Sequence, residues 1–372
     1  MKKILLVSKF TQDKQTYTYA SSFYHALQNL GHRVIPFNCK QSFLPVTGFD
    51  HDGLPYTLKV INNVLINNAL KRLVALFRPD IIFLIKGENI SHKTIRVIKS
   101  VSNCFIMNFY PDNPFVFWNG NSNKNVLLSL PVYDVFLSWS KMMIPVLESV
   151  GCKNVLHFPF AYDQTIFNQN IVISEQEYRH YASDVCFVGT WDRQREEWLS
   201  ALCEQMPGLI LAIWGNDWDK NLPRKSLLRE KIRGKAIYKE AMVKAFLSSK
   251  IVLNFIRQQN KTSHNMRSFE VLASKAFLLT QRTAEQTEFP FLEGQTLECF
   301  ETVEELTKKI AIYLKNDTLR EKIAHEGYVA VQDYTISNQL KTLFAYLKIR
   351  EKGEYDGEQK TKNCDFIDTQ SI

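Results

Sequence analysis

The chain has 372 residues, of which 45% are hydrophobic and 23% charged, and it carries 7 cysteines and a formal net charge of +8. This composition is typical of a globular protein long enough for two domains, and it argues against a disordered chain or a disulfide-rich secreted domain. No apolar run approaches the roughly 18 residues that span a bilayer, and the first ten residues turn polar too soon for a signal peptide.

Strand-like and helix-like segments alternate along the first half of the chain. KKILLVS predicts a strand, an amphipathic helix follows and ends at Gly31, and HRVIPF predicts the next strand. A long helix ends before Pro79, and the apolar run PDIIFLIKG predicts a buried parallel strand. CFIMNFY runs as a strand into Pro111, and YDVFLSW, a helix ending at Gly151 and NVLHFPF complete a predicted N-terminal domain over residues 1–165.

The alternation restarts after a polar stretch at 165–182. DVCFVGTW, LILAIWG, KIVLNFI, AFLLTQ and TLECF predict strands, separated by helices and by a polar loop at 216–233. We therefore predict a C-terminal domain over 166–349, followed by a disordered polar tail at 350–372. Alternating strands and helices indicate an α/β fold with two Rossmann-like domains and parallel sheets, whose ligands bind beyond the carboxyl ends of the strands.

Charge and cysteine usage restrict the partners. Residues 1–165 hold 17 Lys and Arg against 9 Asp and Glu, whereas the remainder is balanced. A basic domain favours anionic partners. We therefore expect a cytoplasmic protein whose basic domain makes peripheral contact with the inner face of an anionic membrane. No basic run with interleaved aromatics indicates nucleic acid. No cysteine pair has C-x-x-C spacing, so we expect buried thiols in a reducing compartment and no metal site.

The turn after the strand DVCFVG carries the first group of candidate site residues. Gly189 allows a phosphate to approach the backbone, and the helix that begins after Thr190 supplies N–H donors. Arg193 and Arg195 lie in the first turn of this helix, where cations oppose the helix dipole. An anionic ligand would explain them, and surface pairing with nearby carboxylates is the alternative.

A second group follows the strand KIVLNFI. Asn265 or Ser263 can cap the next helix, Arg267 lies in its first turn, and Glu270 follows three residues later on the same face. An arginine can hold a phosphate while the carboxylate accepts hydrogen bonds from ribose hydroxyls. A plain intrahelical salt bridge is the alternative.

The run from Lys250 to Leu279 resembles the C-terminal domain of group 1 glycosyltransferases, most closely the spore-maturation-protein-B-like branch. Members of that branch have a strand ending in Leu-Asn, a short gap and then Asn-x-Arg-x-Phe-Glu, which the chain matches. The matching residues are Leu253, Asn254, Asn265, Arg267, Phe269 and Glu270. FVGTWDRQR and LAIWGNDW also resemble family segments, and the resemblance covers roughly residues 184–335.

The resemblance implies a GT-B fold of two facing Rossmann-like domains with the active site in the cleft between them. It implies that Glu270 binds the ribose of a nucleotide diphosphate sugar and that arginines hold the diphosphate without a metal or other cofactor. Thr262 replaces the first Glu of the wider group's E-x7-E motif, which puts a retaining mechanism of that type in doubt. The donor-binding residues that we predict are Gly189, Thr190, Arg193, Arg195, Gly215, His264, Asn265, Arg267 and Glu270.

The first half is expected to bind a hydroxyl acceptor. Asp112 follows the strand CFIMNFY and is our candidate catalytic residue, with a turn-forming aspartate as the alternative. Lys86, Gly87 and Glu88 form a second strand-end cluster. The expected function is metal-independent sugar transfer in glycan or cell-surface polysaccharide synthesis. A non-catalytic nucleotide-sugar-binding or surface-assembly protein, or a sugar-nucleotide epimerase of the same fold, are the alternatives.

Overall fold

A computed structural model describes residues 1–11, 18–44, 50–117 and 121–351. The chain divides into two compact units, Met1–Pro159 together with the C-terminal residues from Ile336, and Phe160–Thr335. Each unit contains one six-stranded sheet in which all neighbouring strands are parallel. Most of the predicted tail, residues 352–372, lies outside the described residues.

The sheet of the first unit has the strand order β2-β1-β3-β4-β5-β6. Its strands are β1 (Lys3–Ser8), β2 (Arg33–Asn38), β3 (Ile81–Ile85), β4 (Phe105–Tyr110), β5 (Val135–Ser138) and β6 (Val155–His157). Its helices are α1 (Tyr19–Asn29), α2 (Tyr56–Phe77), α3 (His92–Val101), α4 (Lys124–Ser129), α5 (Ile144–Ser149) and the last helix among the described residues, α13 (Ile336–Glu351).

The central strands of this sheet are mostly apolar and buried, as expected for a parallel sheet that is covered on both faces. All five residues of β3 are buried, and the rings of Phe23, Phe83 and Phe109 pack together beneath α1 with centroid distances of 5.7 and 6.1 Å from Phe23. Ser91 caps α3, since its side chain accepts a hydrogen bond from the Thr94 backbone N–H.

The sheet of the second unit has the order β12-β11-β10-β7-β8-β9. Its strands are β7 (Ser183–Val188), β8 (Leu211–Trp214), β9 (Ile232–Gly234), β10 (Ser249–Asn254), β11 (Leu278–Gln281) and β12 (Glu298–Phe300). Its helices are α6 (Glu175–Tyr181), α7 (Arg193–Gln205), α8 (Trp218–Asn221), α9 (Lys239–Leu247), α10 (Met266–Ala273), α11 (Val303–Lys315) and α12 (Asp317–Ala330).

Three predictions of organisation need correction. The polar loop at 216–233 contains α8 and leads into the edge strand β9, and the polar break at 165–182 contains α6. The predicted boundary after residue 165 stands close to the division after Pro159. Residues from Ile336, however, which we assigned to the second domain, belong to the first unit because α13 packs against α1. No helix in the described ranges is long and apolar enough to cross a membrane.

Candidate functional site

The strand order of the second unit places its candidate site. Counted from the first strand of the unit, the order is that of the dinucleotide-binding fold, and the chain leaves in opposite directions from the adjacent strands β7 and β10. Loops diverge at such a switch point and leave a crevice beyond the carboxyl ends of the strands. α7 follows β7 and α10 follows β10, so two helix N-termini belong to this edge of the sheet.

Gly189 and Gly215 join the loops that follow β7 and β8. The Gly189 N–H donates to the Trp214 carbonyl at 2.9 Å, and the Gly189 carbonyl accepts from the Trp218 indole at 2.9 Å. A Cβ on Gly215 would lie 1.9 Å from that same carbonyl oxygen, and one on Gly189 would lie 2.7 Å from the Phe187 ring. The packing of two backbones requires glycine at 215, which is a structural reason that the sequence alone does not supply.

Arg195 turns back from the first turn of α7 toward the strand-end loop. Its Nη1 donates to the Thr190 carbonyl at 2.7 Å, and its guanidinium lies over the Phe187 ring at 5.4 Å from the centroid. The side chain is only 12% exposed, and Nε lies 3.2 Å from the Asp192 carboxylate. Within the described ranges, this buried Nε nevertheless makes no hydrogen bond of acceptable geometry. A buried cationic donor in that state is poised for an anionic acceptor.

Positive charge accumulates around Arg195. Burial, together with the charges of Arg257 and Arg267, lowers the pKa of the Arg195 guanidinium to about 10, although Asp192 acts in the opposite direction. Arg257 lies just after β10 and is half exposed, with Nε 3.8 Å from Asp192. Sequence reasoning missed Arg257, because its proximity to Arg195 follows only from the pairing of β7 with β10.

Arg193 takes the surface position that was the alternative for both cations of the first turn. Its side chain is 75% exposed, and its Nε pairs with Glu197 at 2.9 Å, one helical turn further on. The structure therefore separates Arg193 from the group formed by Arg195, Arg257 and Arg267.

Arg267 and Glu270 form a close pair on α10. Arg267 Nη1 lies 2.6 Å from Glu270 Oε2, and its guanidinium sits 5.3 Å from the centroid of the Phe246 ring. Arg267 Nη2 also reaches the Val188 carbonyl at 3.5 Å, so this side chain bridges α10 and the end of β7. The Glu270 side chain is 2% exposed, and burial raises the pKa of its carboxyl while Arg267 opposes that shift.

The remaining predicted residues, His264 and Asn265, directly precede α10 and order the loop between β10 and α10. Asn265 occupies the N-cap position, but its side chain makes no capping bond and instead exchanges hydrogen bonds with Asn254 at 3.1 and 3.2 Å. Asn254 also donates to the Thr280 hydroxyl at 3.0 Å. His264 is buried beside the Phe269 and Phe291 rings, with Nδ1 3.0 Å from the Ser263 hydroxyl. These polar contacts lock the β10–α10 loop.

In the first unit the structure brings together the two strand-end clusters that the sequence kept apart. Lys86 follows β3 and Asp112 follows β4, and Lys86 Nζ lies 2.8 Å from the Asp112 carboxylate. Lys86 adopts a left-handed φ of 64° and Gly87 one of 73°, which turns the chain sharply at the strand end. Asp112 is thus part of an ion pair in addition to its turn.

A buried lysine adds a second ionic cluster at this edge. Lys40 follows β2 and is 13% exposed, and its Nζ contacts Glu88 at 3.0 Å and Asp52 at 2.9 Å. Burial lowers the pKa of Lys40, but the two carboxylates outweigh it and the net direction is upward. Lys40 was not predicted from the sequence, because no neighbouring residue in the chain marks it as part of a site. Across the described ranges, no group of three or more His, Cys, Asp and Glu side chains could hold a metal ion.

Comparisons with known proteins found a family model that matches part of the chain and solved structures with a similar fold. Residues 193–345 match the family model described as glycosyl transferase-like, and no curated protein matches the chain significantly. Sucrose-phosphate synthase from Thermosynechococcus elongatus superposes with a TM-score of 0.68 at 13% identity, over 94% of this chain and 100% of that one.

Two further solved structures are similar. HepE from Anabaena in complex with UDP and glucose gives a TM-score of 0.64 at 12% identity, over 94% of this chain and 100% of that one. A putative UDP-N-acetylglucosamine 2-epimerase from Listeria monocytogenes gives a TM-score of 0.58 at 14% identity, over 95% of this chain and 97% of that one. At these identities the likeness shows the fold, and it confirms the prediction of an α/β fold of GT-B type with parallel sheets.

Proposed function

We propose that the chain is a glycosyltransferase that moves a sugar from a nucleotide diphosphate sugar to a hydroxyl acceptor. One observation carries the proposal: Arg195, Arg257 and Arg267 lie at the switch point of the second sheet, where two helices begin. The buried Arg195 Nε, although 3.2 Å from Asp192, makes no hydrogen bond of acceptable geometry within the described residues. The match of residues 193–345 to the glycosyl transferase-like model supports the same reading.

The chemistry follows from the charge that develops during transfer. When the bond between the sugar and the diphosphate breaks, negative charge grows on the leaving diphosphate, and fixed positive groups lower that barrier. We assign this role to the three arginines and to the N-termini of α7 and α10, which makes the transfer metal-independent in our proposal. Glu270 would accept hydrogen bonds from the ribose, while Arg267, whose Nη1 lies 2.6 Å from one Glu270 oxygen, would face the phosphates.

The acceptor side belongs, in our proposal, to the first unit. The Asp112 carboxylate is held by Lys86 at 2.8 Å and would orient or deprotonate the attacking hydroxyl. Membership of the spore-maturation-protein-B-like branch, and a role in glycan or polysaccharide assembly, are the finer parts of the proposal and rest on the sequence motif around Arg267.

Nucleotide binding tests the proposal with a matched pair of variants. Thermal stabilisation is measured against UDP, GDP, ADP, CMP and their sugars for the wild type, Glu270→Ala, Arg195→Met and Arg193→Met. We expect one diphosphate to raise the melting temperature. Arg195→Met should weaken its binding by about tenfold or more, since a hydrogen bond to a charged group contributes roughly 1.5–3 kcal/mol. Arg193→Met, altered on the exposed side of the same helical turn, should bind like the wild type.

Product analysis then separates transfer from epimerisation. Nucleotide release that requires an added acceptor, and that persists with a metal chelator, supports the transferase. Formation of an isomerised sugar nucleotide in the absence of an acceptor would instead support the epimerase alternative. The fold similarity to the putative Listeria epimerase is the reason to test this alternative. The absence of a thermal shift with every nucleotide, or an equal shift in Arg195→Met, would contradict the donor site.

A further inference from the structure

A groove in the first unit lies at the edge of the sheet opposite to Lys86 and Asp112. It encloses 590 Å³, within the range of about 300–1,000 Å³ that is usual for small-molecule sites. Ile81 and Phe105 begin β3 and β4, and Lys2 directly precedes β1, so these lining residues mark the amino edge of the parallel sheet. α13 forms the facing wall. The proposed transfer chemistry uses none of these residues.

The floor of the groove is apolar and fixed. Ile81, Phe344 and Leu347 are buried to 5%, 7% and 8% exposure, so their side chains are held by the surrounding core and present carbon surface to the groove. The Phe344 ring also packs against His32 at a centroid distance of 4.7 Å. The apolar lining is formed by Leu30, Ile81, Phe105, Phe344, Ala345 and Leu347.

The rim of the groove is positively charged. Lys2, Lys153, Lys341 and Lys348 line it, and the last three form no ion pair within the described parts of the chain. The one carboxylate in the lining, Asp134, is already neutralised, because it contacts Lys99 Nζ at 2.5 Å and accepts from the Ile106 backbone at 2.8 Å.

The ring of His32 responds to this surplus of positive charge. Burial lowers the pKa of His32, and the charges of the N-terminal amine, Lys348 and Lys2 lower it further. An anion beside Lys153, Lys341 and Lys348 would meet positive side chains that form no ion pair among the described residues, directly next to the apolar floor.

We propose that this groove binds one anionic amphiphile, with its alkyl chain on the apolar floor and its carboxylate or phosphate head at the lysine rim. The two halves of such a ligand match the two halves of the lining, since apolar burial provides affinity and the charged rim fixes orientation. Neither a free phosphate nor a neutral hydrocarbon uses both.

Calorimetric titration with monomeric single-chain probes tests the proposal. The probes are dodecanoate and dodecyl phosphate, with dodecanol, dodecyltrimethylammonium and inorganic phosphate for comparison. We expect saturable one-to-one binding of the two anionic amphiphiles. The double variant Lys341→Glu/Lys348→Glu should weaken it by about tenfold, because two attractive contacts become repulsive. Ala345→Phe, which fills the groove from an exposed position of α13, should abolish it.

The controls separate this site from the nucleotide site. Lys93→Glu changes an exposed lysine of the same unit away from the groove and should bind the probes like the wild type, as should Arg195→Met. Equal binding of dodecyltrimethylammonium, or unaltered binding in both groove variants, would overturn the proposal. Sedimentation with anionic vesicles, without any uptake of monomeric amphiphile, would also overturn it in favour of a membrane surface.

Discussion

At the scale of single residues, two arginines of one helical turn make different contacts because their side chains point to different sides of the helix. Arg193 and Arg195 lie two positions apart on α7 and therefore point to different sides of the helix. Arg193 faces solvent and pairs with Glu197, whereas Arg195 folds back over Phe187 and donates to the loop at Thr190. A cation at a helix N-terminus opposes the dipole, and in our proposal an anionic ligand compensates this cost at Arg195.

Gly215 offers a sharp test of why glycine stands at the end of β8. A Cβ at this position would lie 1.9 Å from the Gly189 carbonyl oxygen, so Gly215→Ala must push two backbone segments apart. We expect a loss of roughly 1–3 kcal/mol in the free energy of unfolding, as for other overpacked sites. Denaturant titration followed by tryptophan fluorescence measures this loss, and nucleotide affinity should fall with it.

Gly208→Ala is the matched control for this prediction. A Cβ at Gly208 meets nothing within 4 Å, and the residue is not in the left-handed region, so its stability should stay close to that of the wild type. If Gly215→Ala proved as stable as Gly208→Ala, the close packing of the Gly189 and Gly215 loops would be refuted.

Motif reasoning found residues that a local pattern marks and missed those whose partners only strand order brings near. Gly189 was identified at the end of a predicted strand, and Arg267 and Glu270 were identified in the first turns of the helix that follows KIVLNFI. Arg257 and Lys40 were not, because their partners come from elements distant in the chain. A strand's carboxyl end can be read locally, but the choice of neighbouring strand is a tertiary event.

At the scale of elements, a bidentate arginine fastens β11 to α11. Arg282 follows β11 and binds the Glu293 carboxylate at 2.7 and 3.0 Å and the Glu305 carboxylate at 2.6 and 3.1 Å. Glu305 lies in the first turn of α11, where it also accepts from the Glu301 backbone at 2.8 Å. Planar two-point pairing of this kind fixes both distance and angle, so the arginine orients the helix as well as holding it.

The contacts of Arg282 predict how the stability of the fold depends on pH. Its hydrogen bonds hold the pKa of Glu305 at about 2, below the ordinary 4.5, and they lower the pKa of Glu293 too. A depressed carboxyl pKa stabilises the fold above pH 4.5, and that contribution is lost as the pH falls from 4.5 toward 2. We expect Arg282→Met to be less stable than the wild type at pH 7 and to lose less stability between pH 5 and pH 3.

Urea unfolding at several pH values tests the expectation. Arg229→Met is a suitable control, since Arg229 bonds only to backbone carbonyls of its own loop within the described ranges and should leave the acid slope unchanged. Parallel pH profiles for the wild type and Arg282→Met would show that the carboxylates do not depend on this arginine.

The long apolar elements were predictable and the short polar ones were not. Strands such as β3 and β10 are buried on both faces over most of their length, and continuous apolar runs in their sequences indicate this burial. β9 has three residues, none of them buried, and α6 has no buried residue, so neither carries a periodic pattern. These elements form because neighbouring strands and loops support them.

At the scale of the whole molecule, the last described helix belongs to the unit in which the chain begins. α13 follows the last elements of the second unit but packs against α1 of the first. The apolar residues of this helix need an apolar partner surface, but their sequence does not specify which unit provides it. Which unit receives it is decided by surface complementarity, and a boundary drawn from the sequence alone therefore assigned it wrongly.

Removal of α13 should consequently weaken the first unit and spare the second. Leu340, Leu343, Phe344 and Leu347 are at most 8% exposed. Uncovering each large apolar side chain costs roughly 1.5–3 kcal/mol, which in sum rivals the roughly 5–15 kcal/mol that stabilises a whole domain.

Two truncated chains isolate this effect, one ending at Thr335 and one at Glu351, since only the first lacks the helix. In hydrogen exchange followed by mass spectrometry, the chain ending at Thr335 should lose protection in β1, β3 and β4 but keep it in β7 and β10. Its nucleotide-induced stabilisation should survive in part, because the arginine group lies wholly within the second unit. Equal loss of protection in both sheets would instead mean that α13 stabilises the two units together.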